Sequence, residues 1–249
     1  MSCTVLQVTQ YLCFGDLMNE PVLSVVVPLH NEAVGFPELA RRLSIVLGGL
    51  GVEFEVLFVD DGSSDETSKL VLEMNRKDSR YHCIRLSRNF GHQQAITAGL
   101  ENAIGKAIVV IDGDLQDPPE TIPELVIRWR EGADVVVAER RSRAREGILR
   151  DIGIRVFHPL FRPLSGQDVP SAGVFSLMDR RVLIHLNNLK EHHRFIPGLR
   201  DWIGFRREVV QYDRQPRNSG EPKQSMTRLI RYATEALFAF STAPLRLAT

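Results

Sequence analysis

The segment VLSVVVPLHNE, residues 22–32, decides how the rest of the chain is read. A β-branched run closes in a proline and then turns polar at once, the pattern of a buried strand running into a loop. The same unit recurs downstream. FEVLFV at 54–59 runs into DDGSSDET, the strand at 82–86 into SRNFGHQQ, and the strand at 106–111 into DGDLQDPPE. A further strand is expected at 134–138. Helical spacing fills the intervals at 36–50, where Leu39, Leu43 and Leu47 recur, and at 66–76, 93–104 and 122–130. Strands alternating with helices imply an α/β domain with a mostly parallel sheet covered on both faces. In such sheets ligands bind at the carboxyl ends of the strands. The polar clusters at 29–32, 60–65 and 112–117 all fall there, which points to one cleft.

The chain has 249 residues, 43% hydrophobic and 25% charged, with a formal net charge of +0. That composition fits one globular catalytic domain with a tail, and it offers no global attraction for nucleic acid. The charge is locally sorted. Residues 140–162 carry seven arginines, and 206–231 is also basic. Arginine runs are usually solvated helix faces, but two of them beside an acidic loop point to an anionic substrate. The 3 cysteines, Cys3, Cys13 and Cys83, make no disulfide framework and have no metal-ligand spacing, as expected for a reducing, cytosolic setting. No run reaches the ~18 apolar residues needed to span a bilayer. Residues 1–20 have no basic-then-apolar leader pattern and are expected to be a weakly structured extension. No internal repeat or low-complexity segment stands out.

The most specific chemistry is in VVIDGDLQDPPE, residues 109–120. Asp112 and Asp114 are two apart at a strand end, so both can turn to one point. Gln116 adds a neutral oxygen at the same spacing. Hard oxygens converging there suit Mg²⁺ or Mn²⁺, completed by waters and substrate phosphates. The plain alternative is a solvated acidic turn. Asp60 and Asp61 can accept from a ribose or base if Gly62 lets the chain turn; Ser64 or Asp65 is expected to cap the next helix. Asn31 is either a helix cap or a nucleotide contact. Arg88 can reach a phosphate or the base. His92 reads as a positioning or capping residue ahead of a catalytic base. No glycine-rich phosphate loop follows a strand.

VVVPLHNE, FVDDGSSDET, LSRNFGHQQAITAGL and DGDLQDPPE together resemble the inverting family 2 glycosyltransferases of GT-A fold. Within that family the resemblance is to the dolichyl-phosphate mannosyltransferase and bactoprenol glucosyltransferase group. It spans residues 22 to about 143, with a weaker likeness onward. It implies that Pro28, Asn31, Glu32, Asp60, Asp61 and Arg88 line the nucleotide-sugar pocket and that Asp112 lies near the ribose or sugar. It further implies that Asp112 and Asp114 serve catalysis, with Asp114 and Gln116 coordinating the metal. Arg140, Arg141 and Arg143 would bind the acceptor phosphate. SAGVFSLMDRRV, FIPGLRDWIGF and RNSGEPKQSMTRLIRYA resemble the segments on the sugar and acceptor side and before the membrane. Three positions depart from the pattern: His30 for the usual Tyr, and Val174 and Ser176 where bactoprenol glucosyltransferases carry Asp and Arg.

The resulting expectation is metal-dependent, inverting transfer of a hexose from a UDP- or GDP-sugar to a polyprenyl phosphate at the cytoplasmic face of the membrane. The alternatives are a family 2 enzyme with a saccharide or other hydroxyl acceptor, and a non-catalytic nucleotide-sugar-binding regulator. Homo-oligomerisation is left open. The catalytic domain is expected over 21–215. Residues 216–249 are expected to form a basic, amphipathic, helical, membrane-proximal segment, and the resembled family commonly continues into transmembrane helices beyond such a segment.

Overall fold

The structure is a computed structural model. It describes residues 21–141, 173–191 and 194–213, together with the backbone of residues 8–10. Arg143 and the 216–249 segment lie outside the described residues.

Eight strands form one sheet: β1 (Val8–Gln10), β2 (Leu23–Leu29), β3 (Phe54–Asp60), β4 (Tyr81–Leu86), β5 (Ala107–Val110), β6 (Val135–Arg140), β7 (Ser176–Asp179) and β8 (Arg207–Tyr212). Their order across the sheet is β1-β4-β3-β2-β5-β7-β6-β8. The helices are α1 (Phe36–Gly48), α2 (Thr67–Lys77), α3 (His92–Asn102), α4 (Ile122–Arg130), α5 (Arg180–Asn188) and α6 (Ile196–Trp202).

The expected strand–helix alternation holds from β2 to β6. β2, β3, β4 and β5 are mutually parallel. β2 and β3 are buried along their whole length, which explains their unbroken apolar runs. Along β2 the side chains split by parity. Val25, Val27 and Leu29 join Leu39, Leu43, Val71 and Leu125 in one core, under α1, α2 and α4. Val26 joins Ala95, Ile96, Leu183 and Leu199 in the other, under α3, α5 and α6. The two layers total more than 45 buried apolar side chains, enough to hold the loops at the strand ends in place.

Strand order reverses between β2 and β5: β3 and β4 step outward on one side, then α3 carries the chain back across to β5. A crevice opens outside the carboxyl ends at such a switch point. The far half of the sheet differs from the repeated pattern. β7 runs antiparallel to both β5 and β6, and β8 pairs in parallel with β6. The short β1 pairs antiparallel with β4 at the other edge, although the sequence gives no strand signal before residue 22. Among the described residues no helix is long and apolar enough to cross a membrane.

Candidate active site

Every described candidate residue sits on the switch-point end of the sheet. Two of the loops there carry backbone strain. Asn31, just past β2, has φ 54°, and Leu115, past β5, has φ 60°; among the described residues they are the only non-glycine positions in the left-handed region. Asn tolerates that region, whereas Leu does so at a cost of about 1–2 kcal/mol. Such strain persists only where the surroundings over-determine it, and it clusters at functional sites.

The surroundings of Leu115 do this. Its side chain is buried. Before it, a Cβ on Gly113 would lie 2.4 Å from Leu29 Cδ2 and 3.0 Å from the Pro28 carbonyl, so the β5 loop rests directly on the end of β2. After it, the Gln116 N–H donates to Asp114 Oδ1 at 3.1 Å. Tyr212, the last residue of β8, donates its hydroxyl to Asp117. Tyr212 also faces Arg140 across the β6–β8 ladder, and its carbonyl accepts from the Arg141 N–H at 2.8 Å. The acidic loop and the arginine-bearing end of β6 therefore share one anchor.

The β2 and β3 loops are laced together. The Asn31 N–H donates to Ser63 Oγ at 2.9 Å, and its Oδ1 accepts from the Ser64 N–H at 2.9 Å. The Glu32 N–H donates to Thr67 Oγ1 at 2.9 Å. Asp65 accepts from the Thr67 N–H at 3.0 Å and the Ala33 N–H at 3.1 Å; it stands one residue before the N-cap of α2, which is Glu66 rather than the expected Ser64 or Asp65. Burial pushes the Asp65 carboxyl up, but these hydrogen bonds hold it below the ordinary value. His30 Nδ1 lies 2.9 Å from the Asp61 carbonyl, and Nε2 lies 3.0 Å from Asn89 Nδ2. The carbonyl can only accept and the amide nitrogen only donate, so the proton is assigned to Nδ1.

Asp60 and Asp61 do diverge, at the turn made by Gly62 with φ 63°. Both face inward. Asp60 is fully buried; it accepts from the Ser63 N–H at 3.0 Å and from the Ser68 hydroxyl, with Arg85 Nε at 3.6 Å. Asp61 accepts from the N–H groups of Phe90 at 2.7 Å and Gly91 at 2.9 Å. Their described bonds shape the loops. Arg88 folds over its own loop, with its guanidinium 4.0 Å from the Phe90 ring centre.

Asp112 and Asp114 are half-buried at the crevice. His92, the first residue of α3, places Nε2 3.2 Å from Asp112 Oδ1. Partial burial pulls the imidazole pKa down, but the Asp112 charge and hydrogen bond, with Asp61 and Asp114 behind them, hold it above the ordinary histidine value. Ser176 pairs with Val110, so Val174 stands near the level at which Asp112 leaves β5. Val174 is buried and apolar, and the buried Ser176 hydroxyl is spent on the Val174 carbonyl at 3.0 Å. Arg141 is exposed, with Nη1 3.5 Å from Asp213. Burial pushes the thiol of Cys83 up to about 12, far from reactivity.

Sequence reasoning missed Asp117, Tyr212 and the His92–Asp112 contact. The first two are 95 positions apart, and only the β6–β8 pairing brings them together. For His92, its place at the start of the α3 pattern was the available signal.

Among the described residues no three His, Cys, Asp or Glu side chains cluster as a self-sufficient metal cage. Asp114 and Gln116, with Asp112 beside them, still fit Mg²⁺ or Mn²⁺, which bind through one or two carboxylates and take their other oxygens from phosphates and water.

Comparison with known proteins agrees with this geometry. A profile of glycosyl transferase family 2 matches residues 24–186. An uncharacterized glycosyltransferase of Synechocystis sp. is 40% identical over 228 residues, covering 91% of this chain and 72% of that protein. A prophage bactoprenol glucosyl transferase homolog of Escherichia coli is 35% identical over 228 residues, covering 91% and 74%. Among solved structures, glucosyl-3-phosphoglycerate synthase from Mycobacterium tuberculosis, in complex with Mn²⁺, UDP and phosphoglyceric acid, superposes with a TM-score of 0.61 at 20% identity, covering 87% of this chain and 76% of that one. S. aureus TarS 1-349 gives a TM-score of 0.55 at 20% identity; 76% of this chain is covered, spanning 57% of that longer one. These two likenesses speak for the GT-A, Rossmann-like fold alone. The profile match over more than half of the chain, with relatives above 30% identity along most of their length, shows that this chain is a glycosyltransferase of glycosyl transferase family 2.

Proposed function

We propose that the protein transfers a hexose, with inversion, from a nucleotide-diphospho-sugar to a polyprenyl phosphate. The observation that carries this reading is the shared anchor at Tyr212, which links the Asp112–Asp117 loop to the arginine-bearing end of β6. A divalent ion held by Asp114 and Gln116 would neutralise the charge developing on the departing diphosphate, a contribution of several kcal/mol. On this reading Pro28, Asn31, Glu32 and Arg88 border the nucleotide, and Asp60 and Asp61 hold the loops that form its pocket. Arg140 and Arg141 attract the acceptor phosphate, and Arg143 follows in the same basic stretch.

The chemistry is one displacement. An oxygen of the acceptor phosphate attacks the anomeric carbon, the bond to the donor diphosphate breaks, and the nucleoside diphosphate leaves with the electron pair. A phosphate monoester has a second pKa of about 6, so at neutral pH it needs no base. An apolar Val174 near the end of β5 is compatible with that acceptor. The reading places the enzyme at the cytoplasmic membrane surface, because the acceptor is a lipid. The bactoprenol glucosyl transferase homolog among its relatives supports the acceptor class.

A hydroxyl acceptor is the second reading, and one observation favours it: the His92–Asp112 pair is the type of group that activates a hydroxyl. A transfer assay separates the two. The protein is incubated with Mn²⁺, UDP- or GDP-sugars and a short polyprenyl phosphate, then extracted into organic solvent. The expected result is a labelled lipid from one donor, lost by about 10³-fold or more in Asp114→Ala. Label that stays in water on a saccharide acceptor would favour the second reading. Near-normal turnover of Asp114→Ala would refute the metal role.

A further inference from the structure

His92 has no part in the transfer proposed above, yet it touches Asp112. Its position is determined from both sides. Ahead of it, both oxygens of the buried Asp61 hold the N–H groups of Phe90 and Gly91, and Gly91 turns the chain at φ 107°. Behind it, α3 lies flat on β2: a Cβ on Gly99 would come within 2.3 Å of Val26 Cγ1. The imidazole therefore projects from a base that cannot shift. His92 and Asp112 are each about a third exposed, at 33% and 35%, so they border the cleft.

We infer that His92 is a positioning residue for Asp112: held in place by Asp61 through residues 90 and 91, it fixes the carboxylate at the end of β5 in the orientation that meets the donor. The inference rests on the proposed function, in which Asp112 lies against the ribose or sugar. It also gives the buried Asp61 a role in the site without direct contact with a ligand. A neutral donor at the same reach should do the same work, because the task is orientation. The side-chain amide nitrogen of Gln reaches about as far as Nε2.

The test compares wild type, His92→Ala, His92→Gln, Asp112→Ala and the His92→Ala/Asp112→Ala double variant. Binding of UDP-glucose and of GDP-mannose in Mn²⁺ is measured by calorimetry, turnover by the organic-extraction assay, and folding by thermal unfolding. For the donor that wild type binds, His92→Ala should lose about 10- to 100-fold in kcat/KM and bind more weakly, with Tm unchanged. His92→Gln should recover most of both. The double variant should be no worse than Asp112→Ala, because the two residues act as one unit. Three results overturn the inference: unaltered donor binding and turnover in His92→Ala, a His92→Gln variant as impaired as His92→Ala, or losses that add in the double variant. Asp112→Ala distinguishes the layers. Wild-type behaviour there removes the assigned role of Asp112, and the inference with it. An impaired Asp112→Ala beside a normal His92→Ala leaves the proposed function standing and removes only the role of His92.

Discussion

The sheet carries a histidine–carboxylate pair at each end, and the two behave in opposite ways. At the amino end, His82 Nε2 lies 3.7 Å from Glu55 Oε2, with side chains 9% and 6% exposed. At the carboxyl end, His92 and Asp112 are closer, at 3.2 Å, and far more open. Burial holds the His82 pKa below the ordinary value against the pull of Glu55. Around His92 the sum of carboxylate charges overcomes burial and raises it. The partners of the carboxylates explain the contrast. Glu55 Oε1 accepts from the Ser24 hydroxyl at 2.5 Å and from the Ile104 N–H at 2.8 Å, and Ser24 Oγ accepts in turn from the Gly105 N–H at 2.7 Å. That network closes on itself and fastens β2, β3 and the start of β5. The carboxyl-end pair instead stands among further acidic groups at the mouth of a crevice. The same two residue types make a fastener where the carboxylate is tied into a buried network, and face an open crevice where they stand at the strand ends.

The sharpest way to break the comparison is an isosteric swap at both ends. Asp112→Asn should lower kcat/KM by about 100-fold and leave unfolding free energy within about 0.5 kcal/mol of wild type. A stability loss as large as the activity loss would make the carboxyl-end pair a fastener too. Glu55→Gln should do the reverse. It weakens a charged, buried acceptor and should cost about 1–2 kcal/mol in urea unfolding, with specific activity of the folded protein unchanged. The smallest effect is in pH. His82 must gain a proton on unfolding below its unfolded value of 6.5, since its folded pKa is lower. Its contribution to stability is therefore present above about pH 6.5 and fades as pH falls from there toward the folded value. The urea midpoint should drop between pH 7.5 and 5.5, and His82→Leu should flatten that slope. A slope unchanged by the substitution would assign it to other groups.

Much of this was legible in the chain. Apolar runs bounded by polar loops marked β2 through β6 and their helices, because each unit is local. The antiparallel β7 and the two edge strands β1 and β8 were not legible: their pairing is decided by partners far away in sequence. The D-x-D pattern located the site at a strand end. It could not show that Asp60 and Asp61 turn inward to hold loops, since that depends on Gly62 and on N–H groups about 30 residues onward. Nor could it show Tyr212 gripping Asp117, which requires β8 beside β6.

Gly113 sets a limit on how this site can change. The space its missing Cβ would fill belongs to Leu29 and the Pro28 carbonyl. A combinatorial library that randomises the aspartate loop to redirect donor choice should therefore return glycine at 113 in nearly every active clone, even when its neighbours vary freely. Diversity is better spent at Asn89, whose exposed side chain reaches across two loops to His30 without bearing on the strand beneath.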